Sequence, residues 1–187
     1  MPTTYAIPNG RTVFDATTFT ANASSNVITN AAGFKPDFVW AKSRTDAYSH
    51  NLFDSVRGVN NLLRSNSTLA ESAVANSLTS FNSNGFTLGS QCDANYTNGS
   101  LGVAWNWQAG QGTTSSNASG SITSTVSVNA TAGFSVVTYT APNSGSAYTV
   151  GHGLGVAPQF IINKVYSRTE DWRCYNVNIG ASNSIRL

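Results

Sequence analysis

Gly33-Phe34-Lys35-Pro36-Asp37-Phe38-Val39-Trp40-Ala41-Lys42 and Gly155-Val156-Ala157-Pro158-Gln159-Phe160-Ile161-Ile162-Asn163-Lys164 share one pattern, Gly-x-x-Pro-x-Phe-(Val/Ile)-x-x-Lys. Lys164 follows Lys42 by 122 positions, and the same spacing pairs Phe53 with Tyr175, Gly58 with Gly180 and Arg64 with Arg186. In both copies a Gly/Pro signal leads into a short apolar run, which marks a bend feeding a buried strand. Upstream, Phe-Asp-Ala-Thr-Thr-Phe-Thr at 14–20 matches Phe-Ser-Val-Val-Thr-Tyr-Thr at 134–140, at a spacing of 120. Two extra residues between Pro142 and Gly153 reconcile the spacings, and a loop takes such an insertion at little cost.

The repeat spreads outward into a plan for the whole chain. An aromatic-containing strand comes first, then a polar turn-rich loop, then the Gly-x-x-Pro bend and a second apolar strand ending in Lys. Repetition over this length means tandem units or a duplicated sandwich, not a short-period solenoid. Strands are expected at 13–20, 37–42, 85–89, 101–107, 121–128, 134–139 and 159–165. Within 101–107, Leu101, Val103, Trp105 and Trp107 share one face. Thr68-Leu69-Ala70-Glu71 resembles a capping box, so the Ala-rich stretch 69–78 is expected to form at most a short helix.

Many short strands with Gly/Asn/Ser turns and no long helix predict an all-β fold, a β-sandwich of jelly-roll or lectin-like kind built from a duplicated unit. The expected units are 1–109, a Ser/Thr/Gly-rich linker and connecting strand at 110–132, and a second unit at 133–187. The second copy reads as incomplete: Arg64 is followed by a further arm through Trp107, whereas Arg186 is followed only by Leu187. The expectation is that the natural chain continues or that a partner completes the fold.

Composition narrows the function classes. Of the 187 residues, charged residues make up only 10%, against about 25% in an average soluble domain. Hydrophobic residues reach 40%, so a core can form, and the polar remainder is mostly Ser, Thr, Asn and Gly. Such a surface is kept soluble by neutral hydrogen-bonding groups, as in secreted and virion β proteins. Net charge is +2 with no Lys/Arg cluster, which argues against nucleic acid as a partner. No apolar run approaches the ~20 residues needed to span a bilayer, and the start lacks the pattern of a secretory signal. An extracellular composition without an export signal points to release by cell lysis.

The chemistry-bearing residues form no catalytic constellation, and the chain reads as a protein that binds or builds. Cys92 and Cys174 have no second Cys or His at zinc-ligand spacing and read as two buried thiols. No metal and no cofactor is expected. His152 lies in Gly151-His152-Gly153-Leu154-Gly155, which runs into Pro158 and a strand, so it reads as a turn and not a phosphate loop. The densest polar-aromatic stretch is 48–58, where an Asp54–Arg57 ion pair is expected to hold a loop. Flat rings stack on the C–H faces of sugars while amides and hydroxyls bind their OH groups. On that ground Trp40, Tyr48, His50 and Trp172 are the candidate ligand-binding residues. Trp105 and Trp107 read as core.

The segments 33–44, 48–58, 77–89, 103–110, 133–140 and 150–158, the last being Val-Gly-His-Gly-Leu-Gly-Val-Ala-Pro, resemble repeat-containing, tail-fibre-like virion structural proteins of marine and cyanobacterial tailed phages. The resemblance covers nearly the whole chain and carries no site residues. It implies a virion appendage, a tail fibre or receptor-binding-like protein, that recognises a host surface glycan or docks on the particle. It would be assembled in the host cytoplasm and exposed on the virion. Its partners would be other virion proteins, host polysaccharide and further copies of itself, with a trimer expected. A head fibre or capsid decoration protein is the alternative of the same kind. The rival of another class, a glycan depolymerase, needs paired carboxylates ~5–10 Å apart across a groove.

Overall fold

The computed structural model describes residues 9–143 and 145–187. Fourteen strands run in chain order: β1 (Phe14–Thr20), β2 (Asn26–Thr29), β3 (Phe38–Ser43), β4 (Asn51–Asp54), β5 (Asn61–Leu62), β6 (Ser72–Ala73), β7 (Leu78–Asn82), β8 (Gly85–Leu88), β9 (Leu101–Trp107), β10 (Ser115–Asn117), β11 (Ser124–Asn129), β12 (Phe134–Tyr139), β13 (Phe160–Asn163) and β14 (Arg173–Asn176). They form sheets of order β1-β9-β3-β4, β2-β8-β7, β10-β11-β12, β13-β14 and β5-β6. Among the described residues the only helical pieces are 3₁₀ turns, so the protein is all-β. The stretch 69–78 is not helical. Ser72 and Ala73 pair with β5, and Glu71 reaches Arg57 instead of capping a helix, so tertiary contacts override a weak local signal.

The main core lies between two sheets. β3 buries Val39, Ala41 and Ser43, and β9 buries Gly102, Ala104 and Asn106. Against this face β2, β7 and β8 set Ile28, Leu78, Phe86 and Leu88, with Phe53 of β4 in the same cluster. The buried face of β9 carries only small or amide side chains, and at Gly102 the space is taken by a ring from the neighbouring strand of the same sheet. A Cβ at Gly102 would sit 2.3 Å from the ring of Phe19, so only glycine fits there. Fully burying a Phe such as Phe53 or Phe86 contributes roughly 1.5–3 kcal/mol.

The alternation of 101–107 is real, but its tryptophans face away from this core. Trp105 and Trp107 lie half-buried on the opposite face of the sheet. There Trp107 meets Phe14 at 5.0 Å, Phe38 at 5.3 Å and Phe134 at 6.1 Å, while Trp105 meets Trp40 at 6.2 Å. A smaller cluster of Leu52, Leu63 and Trp172 continues this aromatic layer, with Phe38 and Trp40 packed against it.

Asp37 anchors the chain after β9. Its buried carboxylate accepts bonds from the backbone N–H of Ala109, Gln111 and Gly112, each at 2.7 Å, and from the hydroxyls of Ser55 and Ser127 at 2.7 and 3.0 Å. The Gly-rich stretch read as linker is therefore fastened at its start, and its later part, β10, pairs with β11.

At a spacing of 122 the hydrogen bonding of two hairpins coincides. β3 pairs β4 from Phe38↔Asp54 to Ala41↔Asn51, and β13 pairs β14 from Phe160↔Asn176 to Asn163↔Arg173. Leu52 bridges Leu63, and Cys174 bridges Ile185. Ser55 N–H donates to Asp37 O at 2.8 Å, and Val177 N–H to Gln159 O at 2.9 Å. Lys42 Nζ donates to the carbonyls of Ser43 and Asp46, and Lys164 Nζ to those of Val165 and Arg168. Gly33 and Gly155 open the two bends with φ of 71° and 74°, a left-handed conformation that favours glycine.

Candidate functional site

An open depression of about 540 Å³ lies beside the turn after β3, lined by Tyr48, Ser49, Arg64, Asn66, Leu69 and Asp93 among others. Its geometry is set by side chains that bond to one another. Asn66 Oδ1 accepts from His50 N–H at 3.1 Å, and its Nδ2 donates to Ser49 Oγ at 3.3 Å. Arg64 Nε pairs with Asp93 Oδ2 at 3.2 Å, and Asn51 Nδ2 donates to the same oxygen at 3.0 Å. Tyr48 stands edge-on to Tyr96 at 5.7 Å, and its hydroxyl lies 3.2 Å from Thr97 Oγ1. Tyr96 and Leu69 are exposed. The lining thus combines an aromatic ring, an amide, hydroxyls and one partly exposed ion pair.

Of the four candidate residues, Tyr48 lines this depression and His50 borders it through its backbone bond to Asn66. Trp40 and His50 form a unit of their own: Trp40 Nε1–H donates to His50 Nδ1 at 2.9 Å, with the rings edge-on at 5.9 Å. That bond requires a neutral imidazole. Burial, and then the charge of Lys42, hold the pKa of His50 below its usual 6.5. Trp172 is only 5% exposed, so its ring offers no open face to a sugar. Its indole N–H donates to the carbonyls of Arg64 at 2.9 Å and Ser67 at 3.1 Å, which makes it a post behind the depression. Sequence reading did not bring Asn66, Arg64 and Asp93 to this site, because residues from separate loops meet only in the fold.

The carboxylates are engaged in structure. Asp54 pairs with Arg57 at 2.5 Å, as the sequence suggested, and Glu71 pairs with the same guanidinium, also at 2.5 Å. Asp15 accepts from Thr17 Oγ1 and Ala31 N–H, and Asp46 from Ser43 and Ser100 hydroxyls. Glu170 and Asp171 pair with Arg168 and Arg186. Cys92 and Cys174 are both free and buried. Burial pushes the Cys92 thiol up to about 12, and it donates to Asn51 Oδ1 at 3.2 Å, so it is held as an inert thiol. Among the described residues no cluster of His, Cys, Asp or Glu is grouped to hold a metal, and no helix is long and apolar enough to cross a membrane.

These features define an all-β protein of several small sheets, with an aromatic layer on one face of its largest sheet and a neutral, amide-lined depression near that sheet's edge. The chain belongs to the family described as a domain of unknown function, DUF7483, whose model matches residues 10–187. No curated protein and no solved structure matches it significantly.

Proposed function

We propose that this chain is a structural protein of a phage particle appendage, tail-fibre or receptor-binding-like, built from a duplicated β-sandwich unit and making contact with a host surface glycan. The observation that carries the contact reading is the depression lined by Tyr48, whose phenol ring lies beside the amide of Asn66, the hydroxyl of Ser49 and the Arg64–Asp93 pair. Such a lining suits a sugar, whose C–H faces stack on rings and whose hydroxyls bond to amides and carboxylates. The resemblance to tail-fibre-like virion proteins and the low charge support the setting. Duplication is supported by the two coincident hairpins, and a sandwich by the shared core of the β1-β9-β3-β4 and β2-β8-β7 sheets. The test is a titration of host cell-wall and capsular polysaccharides against the chain and its Tyr48→Ala variant. Binding weakened about tenfold by the variant supports the reading. Steady release of reducing ends would replace it with a depolymerase.

Docking on the particle, as a tail component or a capsid decoration, is favoured by a different observation. Val156, Phe160, Ile161 and Ile162 are exposed together around β13. A cluster of exposed apolar side chains marks a contact surface. Gold-labelled antibody in electron microscopy of intact particles would place the protein on tail or head.

A further inference from the structure

In the first hairpin, β3 is paired on both edges. β4 lies along one edge, and β9 runs antiparallel along the other from Phe38↔Trp107 to Ser43↔Gly102. β9 carries β1 on its far side. The counterparts of β1, β3 and β4 are β12, β13 and β14, and all three are formed. Among the described residues no strand lies between β12 and β13, and each has one edge without a ladder partner. A side-chain bond joins them instead, from Asn163 Nδ2 to the Tyr139 hydroxyl at 3.2 Å. The flanking residues are apolar and open: Ile161 is 42% exposed where its counterpart Val39 is 0%. A free strand edge with exposed apolar side chains is a template for strand addition.

We propose that the edge of β13 facing β12 accepts one extended strand with the residue pattern of β9. In that pattern small or amide side chains (Gly, Ala, Asn) alternate with Val and Trp, and the strand runs antiparallel to β13. The inference rests on the duplication proposed above and not on the virion reading. Free N–H and C=O groups of the edge would supply ladder bonds to any backbone, so side chains set the specificity. Tyr139 stands where Phe19 stands in the first copy, and Phe19 covers Gly102 so closely that any Cβ there would collide with its ring. The incoming strand needs a glycine at the same place. Its larger residues would lie over Phe160 and Ile162 as Trp107 and Trp105 lie beside Phe38 and Trp40. A charged residue at those positions would be desolvated without a partner. The Tyr139–Asn163 bond is solvent-exposed, so its loss to an entering strand costs little.

The test is a synthetic peptide with the sequence of residues 99–109, Gly-Ser-Leu-Gly-Val-Ala-Trp-Asn-Trp-Gln-Ala, titrated against the whole chain. Residue-resolved amide exchange is followed with and without peptide. Saturable binding that slows exchange in β13 by about tenfold or more supports the proposal. Peptides carrying Gly102→Val or Ala104→Pro should lose that effect. If the free chain already protects the β13–β14 hairpin amides and the peptide changes nothing, the acceptor fails and the duplication stands. If the free hairpin is unprotected, the duplication fails and takes the acceptor with it. Protection of the β13 edge by self-association alone would overturn the peptide-strand reading in favour of a second copy as occupant.

Discussion

The β3–β4 and β13–β14 hairpins share their register yet differ in burial. In the first, all of β4 and alternate residues of β3 are buried. In the second, every residue of β13 is exposed and β14 buries only Cys174. Bend, ladder and Lys cap are therefore local properties, carried by Gly, Pro, Phe and Lys at fixed spacing. Burial is not local, since it is conferred by β9 and the β2-β8-β7 sheet. The ionic groups follow the same division. Arg57 is held in the first copy by Asp54 and Glu71, while its counterpart Ile179 needs neither.

The sharpest way to break this comparison is at Asp37 and its counterpart Gln159. Asp37→Ala strands three backbone N–H groups and two hydroxyls and should cost about 3 kcal/mol or more. Gln159→Ala should fall within about 0.5 kcal/mol, both read by chemical denaturation. Next come Phe53 and Tyr175. Phe53→Ala opens a cavity in the main core at roughly 3–5 kcal/mol, whereas Tyr175→Ala, on the half-buried copy, should cost less than half as much. Equal losses in either pair would mean that the second copy is as enclosed as the first.

Lys42 and Lys164 test the opposite side, where the copies agree. Each ammonium donates to the carbonyls one and four residues ahead. Lys42→Met should cost about 1 kcal/mol and Lys164→Met, whose bonds are solvent-exposed, less, in thermal melts.

The smallest effect is a pH dependence set by His50, beside the first hairpin. The folded His50 has a depressed pKa, so the unfolded chain protonates first as pH falls. The contribution of His50 is complete above 6.5 and is lost as pH drops from there through the folded value. His50→Gln should flatten that part of the stability curve. At this position the second hairpin has Trp172, which does not titrate.

Gly/Pro signals and short apolar runs made much of the all-β fold legible. The residues bounding β9 could be read from their alternation, because a half-buried strand alternates, and those bounding β12 from their match to 14–20. β4 and β14 could not, since 51–54 is buried on both sides and 173–176 is polar, so neither shows a period of two. The face of β9 was also misjudged at Trp105 and Trp107. Their Leu and Val neighbours suggested the core, but the buried face carries Gly102, Ala104 and Asn106, with the ring of Phe19 lying over Gly102. The depression was half legible. Tyr48 stood out within an aromatic stretch, whereas Asn66, Arg64 and Asp93 reach it through three-dimensional contacts that no spacing encodes. Trp172 was read as a ring open to a sugar, and it is buried because it packs with Leu52 and Leu63.

The most direct measurement is the cross-strand proton contacts of β13 and β14 by NMR on the whole chain. The account predicts Ile161 opposite Tyr175 and Ile162 opposite Cys174, in the register of Val39 with Phe53 and Trp40 with Leu52. A ladder shifted by one residue, or no ladder there, would contradict it.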